Sequence, residues 1–181
     1  MQAIGLVEFN SIARGIGAAD AMVKTAMVEL LAARPVCPGK YMALVSGDVA
    51  AVQSAVRAGV QAGGQAVVDE FVLPNVHPSV FPAISATSEV EKIQALGIIE
   101  TFTVASLIIA ADACAKAAEV DLIEIRLGSG IGGKSFVTMT GDVAAVKAAV
   151  EAGSEKASAA GLLVEWVVIP SPGGQLKKAI L

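Results

Sequence analysis

The sequence predicts an α+β chain made of two ferredoxin-like βαββαβ units in tandem. One observation is an internal repeat, in which Ala3-Ile4-Gly5-Leu6-Val7-Glu8 returns as Ala95-Leu96-Gly97-Ile98-Ile99-Glu100. Gly47-Asp48-Val49-Ala50-Ala51-Val52 likewise returns unchanged from Gly141 onwards. A second observation is that the apolar spacing within each copy changes between strand and helix periods. We therefore expect two domains, at residues 1–90 and 91–181.

The elements of the first copy follow in the order strand, helix, strand, strand, helix, strand. A helix is predicted from Ser11 to Met27 by apolar residues at helical spacing. Asp48 suits the N-cap of a second helix with valines along one stripe, and Gly63-Gly64 ends that helix. The predicted strands are Ile4–Phe9, Val28–Ala33, Tyr41–Ser46 and Val67–Leu73. This order is that of a ferredoxin-like unit of ~90 residues.

The second copy repeats this pattern from Gly97 to Ile169, and Pro74–Val90 is predicted to connect the domains. The offset between the copies is 92 residues at their first strands and 94 at the Gly-Asp-Val helix starts. The two extra residues lie between Arg126 and Gly133. The turn between the second and third strands, which carries Cys37 in the first copy, is thus where the copies differ most.

Cys37 stands between two prolines, in the stretch Arg34-Pro35-Val36-Cys37-Pro38-Gly39-Lys40. Each proline fixes its own φ and favours extended backbone in the residue before it. This predicts a stiff surface loop that holds a thiol at a defined place.

The composition predicts an oligomer. Charged residues make up 17% of the chain, whereas about 25% is usual, and the apolar set reaches 55% before glycine is counted. A small monomer cannot bury so much apolar surface. The longest uncharged apolar runs fall short of the ~20 residues of a membrane-spanning helix. A net charge of −4 without a basic run argues against nucleic acid as a partner.

The start of the chain has no basic region and reaches an acidic residue at Glu8, so we do not expect a signal peptide. A cytoplasmic protein is expected, with Cys37 and Cys114 as reduced thiols. Cys114 occupies the helix position that Met22 has in the first copy, which predicts a small buried hydrophobe. His77 is the only histidine, and we expect it to make a local hydrogen bond.

Gly128-Ser129-Gly130-Ile131-Gly132-Gly133-Lys134-Ser135 matches two phosphate-binding patterns, G-x-x-x-x-G-K-[ST] and G-x-G-x-x-G. Both patterns need a helix directly after the glycines, because the helix N-terminus binds the phosphate. The residues that follow, Phe136–Thr140, favour a strand. The sequence therefore predicts a glycine-rich turn between paired strands rather than a nucleotide site.

Taken together, these motifs resemble the tandem-domain shell proteins of bacterial microcompartments, over essentially the whole chain. The resemblance lies closest to the trimeric propanediol-utilisation type with a cysteine at its pore. It rests on Gly5-x-x-Glu8, Asp20-Ala-Met-Val-Lys24 and Cys37-Pro38-Gly39-Lys40, on their counterparts in the second copy, and on Asn75-Val76-His77-Pro78.

The resemblance implies that three chains form a pseudohexagon of six BMC domains, which tiles a shell with other shell proteins inside the cytoplasm. It implies that small metabolites or an electron carrier use a central pore. Pore-lining positions would be Cys37, Pro38, Gly39, Ser129, Gly130, Ile131 and Gly132. Lys24 and Lys116 would lie at the edges where tiles pack. Single-domain relatives carry an arginine where this chain has Asn75 and Ser171, so that edge role is not transferred.

One chain lacks the four cysteines that usually hold an iron–sulfur cluster. A three-fold axis would bring three copies of Cys37 together, and three thiolates can hold three irons of a [4Fe–4S] cluster. The resembling shell protein implies such a cluster as cofactor, for electron transfer or cluster transport. The alternatives are a shell trimer with an open or gated metabolite pore, and a soluble ferredoxin-like trimer that binds a regulatory ligand. We do not expect an enzyme, because the sequence offers no nucleophile–base pair or carboxylate dyad.

Overall fold

The computed structural model describes residues 2–180, which divide into two compact units, residues 2–76 and 77–180. The expected α+β architecture is confirmed in both. The boundary predicted between residues 90 and 91 falls inside the segment that precedes the first strand of the second unit.

The first unit has a four-stranded antiparallel sheet covered on one face by two helices. The strands are β1 Gln2–Phe9, β2 Glu29–Val36, β3 Lys40–Asp48 and β4 Val67–Leu73, in the order β2-β3-β1-β4. The helices are α1 Ile12–Thr25 and α2 Val49–Gly63, followed by a 3-10 turn at Gly64–Ala66. The order places β1 centrally, as the ferredoxin-like unit requires.

The core of this unit lies between the sheet and its helices. Val7 and Phe9 of β1 pack with Met22 of α1 and Val52 of α2, all fully buried. Because side chains alternate along a strand, Glu8 points to the face of the sheet opposite to the helices. Gly5 lies on the helix side, where a Cβ would stand 2.6 Å from the side chain of Val52. The helix therefore crosses the strand too closely for any larger residue.

The second unit repeats this architecture and adds two short helices. Its strands are β5 Ala95–Thr101, β6 Asp121–Leu127, β7 Ser135–Gly141 and β8 Leu163–Ile169, in the order β6-β7-β5-β8. Its helices are α3 Val80–Ile84, α4 Val104–Ala117, α5 Val143–Ala159 and α6 Gly174–Ile180. Ile180 packs against Ile93, Leu96 and Ile123.

Several details differ from the predictions. The connecting segment contains the helix α3, and α6 was not predicted. Helix α1 ends at Thr25, earlier than expected, and β2 extends through Pro35 to Val36. Pro35 is tolerated because β2 is the outermost strand of its sheet, where a missing N–H breaks no required ladder bond.

Asp48 occupies the expected N-cap position of α2, and its counterpart at the start of α5 is Asp142. Asp142 accepts a hydrogen bond from the Ala145 N–H at 2.8 Å, as an N-cap does. Asp48 has the same extended backbone but makes no capping bond with its side chain. In residues 2–180, no helix combines the length and apolar character that a membrane crossing requires.

Candidate functional site at the cysteine hairpin

Cys37 lies at the tip of the hairpin that joins β2 to β3. Val36 pairs with Lys40, which leaves Cys37, Pro38 and Gly39 as a three-residue turn. Gly39 has φ +73, and a Cβ built there would meet nothing within 4 Å. The Cys37–Pro38 peptide bond is cis. The Cys37 thiol is free and half-buried, so it is displayed at the end of a short, stiff projection.

An ion pair anchors the base of this hairpin. Lys40, the first residue of β3, places its Nζ 2.9 Å from Oε1 of Glu8 on β1. The Glu8 side chain is only 6% exposed, so its charge depends on this one lysine for compensation. The pair ties the strand that leaves the cysteine turn to the centre of the sheet.

The second unit has the equivalent ion pair. Lys134 Nζ lies 2.6 Å from Glu100 Oε1, although here the Glu100 side chain is 32% exposed. The Gly-x-x-Glu motif therefore has two roles in each copy. Its glycine admits the crossing helix, and its glutamate holds the lysine at the hairpin base.

The glycine-rich turn between β6 and β7 spans Gly128 to Lys134. Four of its glycines, Gly128, Gly130, Gly132 and Gly133, have φ between +60 and +85. The Gly128 N–H donates to Ser135 Oγ at 3.1 Å, and the Lys134 N–H donates to the Ile131 carbonyl at 3.3 Å. The positive φ values explain why glycine fills these places.

Strand β7 follows these glycines directly, so the prediction of a strand after the two phosphate-binding patterns is confirmed. Ser129, Gly130 and Gly132 are exposed and Ile131 is half-buried. Each predicted pore position thus lies in a hairpin turn of its own unit: Cys37, Pro38 and Gly39 together in the first, and Ser129–Gly132 together in the second. Their role as a pore lining stays a prediction.

Cys114 is fully buried on α4, as expected. Burial raises the pKa of its thiol to about 12, because a thiolate would lose its hydration there. The thiol is therefore protonated at neutral pH, which makes it unreactive. A Cβ on Gly153 of α5 would collide with its Sγ, so the sulfur fills the space between the two helices.

His77 makes the local hydrogen bond that was expected, between its Nδ1 and Ser79 Oγ at 2.8 Å. Its backbone N–H also donates to Oδ1 of Asp112 on α4 at 2.8 Å. The other oxygen of this buried carboxylate lies 2.6 Å from Lys116 Nζ. Asp112 thus fixes both the connecting segment and the predicted edge lysine.

Lys24, the predicted edge residue of the first unit, has a looser setting. It pairs with Asp20 at 2.6 Å, but both side chains are exposed. The sequence motif Asp-x-x-x-Lys therefore gives a solvent-exposed pair in one copy and a half-buried network in the other.

A metal site within one chain finds no support in the described residues, which contain no group of three or more His, Cys, Asp or Glu side chains placed to hold an ion. Cys37 nevertheless fits a shared site, since it is an accessible sulfur at the tip of a projecting turn. One chain supplies one such ligand. The remaining ligands have to come from other copies.

Sequence reasoning missed the roles of Glu8 and Glu100, because each meets its lysine only through the pairing of β1 with β3 or of β5 with β7. A usable signal was present. Both glutamates and both lysines recur together in the two copies.

The sequence profile of the BMC domain family matches residues 3–76 and 95–172. The chain is 49% identical to the bacterial microcompartment shell protein PduT of Citrobacter freundii, over 94% of this chain and 93% of that protein. It is 45% identical to the shell protein EutM of Salmonella typhimurium, over 47% of this chain and 86% of that protein. The crystal structure of a microcompartment protein from Desulfitobacterium hafniense DCB superposes with a TM-score of 0.96, at 63% identity, over 98% of this chain and 99% of that one.

Proposed function

The chain belongs to the BMC domain family, with two BMC domains in tandem, and we propose that three copies close into a ring of six domains around a pore that holds a [4Fe–4S] cluster. It is a structural protein of the bacterial microcompartment shell and not an enzyme. The relative that it matches over most of its length is also a shell protein. The ring, its pore and the cluster are the parts of this assignment that we propose.

A comparison of the two equivalent helices supports the ring. On α1, Ile12 is 41% exposed and Ile16 is 54% exposed, and both border the buried face of the helix. Their counterparts on α4, Val104 and Ile108, are 2% and 0% exposed. An exposed stripe of isoleucine is costly in water, whereas its counterpart in the same fold is covered. The uncovered stripe on α1 therefore fits an interface with another copy of the chain.

Ile16→Glu tests this interface. A carboxylate in an apolar interface loses its hydration without a partner, so the variant is expected to run as a monomer where the parent chain runs as a trimer. Size-exclusion chromatography with light scattering measures the mass. Val143→Glu is the matched control, since Val143 is a similarly exposed apolar residue at the start of α5. A monomeric parent chain, or a trimeric Ile16→Glu variant, would contradict the proposed ring.

The setting of Cys37 supports the cluster. Its thiol is accessible, its turn is stiff, and Lys40 is held by Glu8, so the sulfur has a defined position in each copy. Three Cys37 thiolates around a three-fold axis would hold three irons, and the fourth iron would take another ligand. When bound, a [4Fe–4S] cluster accepts and releases one electron at a time. The protein would thereby let electrons, or the cluster itself, cross the shell.

Anaerobic purification with a full iron supply tests the cluster. We expect a brown protein with about four irons per three chains, and a colourless Cys37→Ser variant of unchanged oligomeric mass. Cys114→Ala is the control, because Cys114 is buried and should not affect the colour. A colourless parent protein would exclude this cofactor, and a brown Cys37→Ser variant would exclude Cys37 as its ligand.

A pore without a cluster is the second candidate, and the glycine-rich turn favours it. A Cβ built on Gly130 or Gly132 meets nothing within 4 Å, so this turn leaves free space around its backbone. Backbone N–H and C=O groups displayed there suit small polar metabolites. An anaerobic structure of the trimer decides between the two candidates by the density among the Cys37 side chains.

A further inference from the structure

We propose that a groove on the second unit, between α5 and β8, binds a basic amphipathic helix of a partner protein. The groove is lined by Lys147, Glu151, Ser154, Glu155, Ser158, Leu163, Trp166 and Val168. Its deeper part has a volume of about 440 Å³. This surface is separate from the hairpin turn and from the predicted edge lysines, and its use does not depend on a cluster.

Trp166 is the apolar anchor of the groove. It is the only tryptophan in the chain and is 49% exposed, on the edge strand of its sheet. It pairs with Ile99 of β5, whose side chain is in the core, so the indole lies on the helix side of the sheet beside α5. A large aromatic ring that is left half in water on a concave surface is typical of a binding site.

The fold itself does not require this groove, because the first unit builds the same place from polar residues. Glu70 stands where Trp166 does, since it pairs with Val7, the counterpart of Ile99. Arg57 stands in the place of Glu151, and Gln61 in that of Glu155. The apolar anchor and its acidic border are therefore specific to one copy.

The charges define the partner. Glu151 and Glu155 are four residues apart on α5 and lie on the same face of the helix. Within residues 2–180, neither takes part in an ion pair. Lys147 also lines the deeper part of the groove, one turn before Glu151 on the same helix. The two glutamates outnumber it beside the exposed indole, so the groove complements lysine or arginine side chains one helical turn apart. An arginine can also stack on the indole face.

An amphipathic helix presents apolar and basic side chains on neighbouring faces, and this groove combines an apolar anchor with acidic side chains. The apolar side chains of the helix would rest on Trp166, Leu163 and Val168, while its basic side chains reach the carboxylates of α5. Helix-in-groove recognition uses this combination of an apolar anchor with a charged border. A helix beside α5 would extend the helical layer over the edge strand.

Trp166 fluorescence measures the binding directly, because no other tryptophan contributes. The probe is an amphipathic helical peptide of leucine and lysine, and its comparison is the same peptide with glutamate in place of lysine. We expect the lysine peptide to give a saturable blue shift of the emission that weakens with added salt. The glutamate peptide is expected to give none.

The double variant Glu151→Lys/Glu155→Lys keeps the fluorophore and reverses the border. We expect it to bind the lysine peptide at least about tenfold more weakly and to bind the glutamate peptide instead. Glu29→Lys/Glu70→Lys makes the same change in net charge at exposed sites in the first unit, and it should bind the lysine peptide as the parent does. Circular dichroism checks that both variants fold.

The proposal is overturned if the two peptides bind equally, if the charge-reversed variant keeps the parent affinity for the lysine peptide, or if neither peptide shifts the emission. A shift with phosphatidylcholine vesicles and none with the lysine peptide would assign the groove to a lipid surface instead. Each of these results leaves the tests of the ring and of the cluster unaffected.

Discussion

At the scale of single residues, the Glu8–Lys40 pair is the contact that holds the cysteine hairpin to its sheet. Glu8 is buried on the face of the sheet opposite to the helices, and Lys40 begins the strand that leaves the turn. Because Lys40 compensates the buried charge of Glu8, loss of this lysine is expected to lower the stability of the fold.

Lys40→Met is expected to lower the free energy of unfolding by about 2 kcal/mol, since it leaves a buried carboxylate without its partner. Lys134→Met is the matched control in the second unit. Its partner Glu100 is more exposed and water can replace the lysine, so the loss there should stay below about 1 kcal/mol. Urea unfolding of both variants measures the difference, and equal losses would contradict this account.

The sequence was sufficient to single out Cys37, because a cysteine between two prolines in the turn where the copies differ is a local pattern. It was also sufficient for Cys114, whose counterpart Met22 showed an apolar position. The ion pairs at the hairpin bases could not be predicted from the sequence. They join residues that are distant in the chain, and only the register of the strands brings them together.

At the scale of elements, the close packing of α5 against α4 and the sheet explains the glycine at position 153. Gly153 of α5 faces α4, where a Cβ would collide with Cys114 Sγ and stand 2.8 Å from Ile99 Cδ1. The two helices can pack at this distance only because Gly153 has no side chain.

Gly153→Ala is therefore expected to cost about 1–3 kcal/mol of stability, although alanine is the better helix former, because the core has no room for the methyl group. Gly173→Ala serves as the control, since a Cβ there meets nothing within 4 Å, and it should change stability by less than about 0.5 kcal/mol. The shift of the thermal midpoint compares the two, and a stabilised Gly153→Ala variant would refute the packing argument.

Long elements with a clear period were predictable, and the short helices were not. Strands β1 and β5 and helices α2 and α5 carry several apolar residues at one spacing. Helix α3 has five residues and includes Pro82, and α6 has seven residues, so neither is long enough to establish a helical period. Their contacts with the second unit, such as Ile180 on Ile93, stabilise them instead.

At the scale of the whole molecule, Lys24 and Lys116, the two lysines predicted at the tile edges, are expected to behave differently. Lys24 and Asp20 are both exposed, so Lys24 is free to contact a neighbouring tile. Lys116 is held by the buried Asp112, which also accepts from the His77 N–H.

Lys24→Ala should reduce the assembly of trimers into sheets, seen by electron microscopy, and leave the thermal midpoint unchanged. Lys116→Ala should reduce assembly and also lower the midpoint, because it leaves the Asp112 carboxylate buried without a cation. Sheets of normal extent from Lys24→Ala would remove this residue from the proposed edge. An unchanged midpoint for Lys116→Ala would show that Asp112 does not depend on it.

The apolar excess in the composition predicts a surface that another chain covers, and the exposed stripe on α1 fits that prediction. Composition could not say where that surface lies, since both copies have apolar residues at these two positions and only the structure distinguishes the covered pair from the uncovered one.

The fusion of two repeats into one polypeptide also sets how many copies of a given side chain the proposed ring contains. In a ring of six identical single-domain chains, a substitution appears in all six domains. In a ring of three fused chains, it appears in every second domain. The second repeat has no cysteine in the turn that corresponds to that of Cys37. The first repeat has Glu70 where the second has Trp166. In the proposed ring, the fused repeats would therefore place three sulfur atoms at one opening, a number that six identical single-domain chains cannot provide.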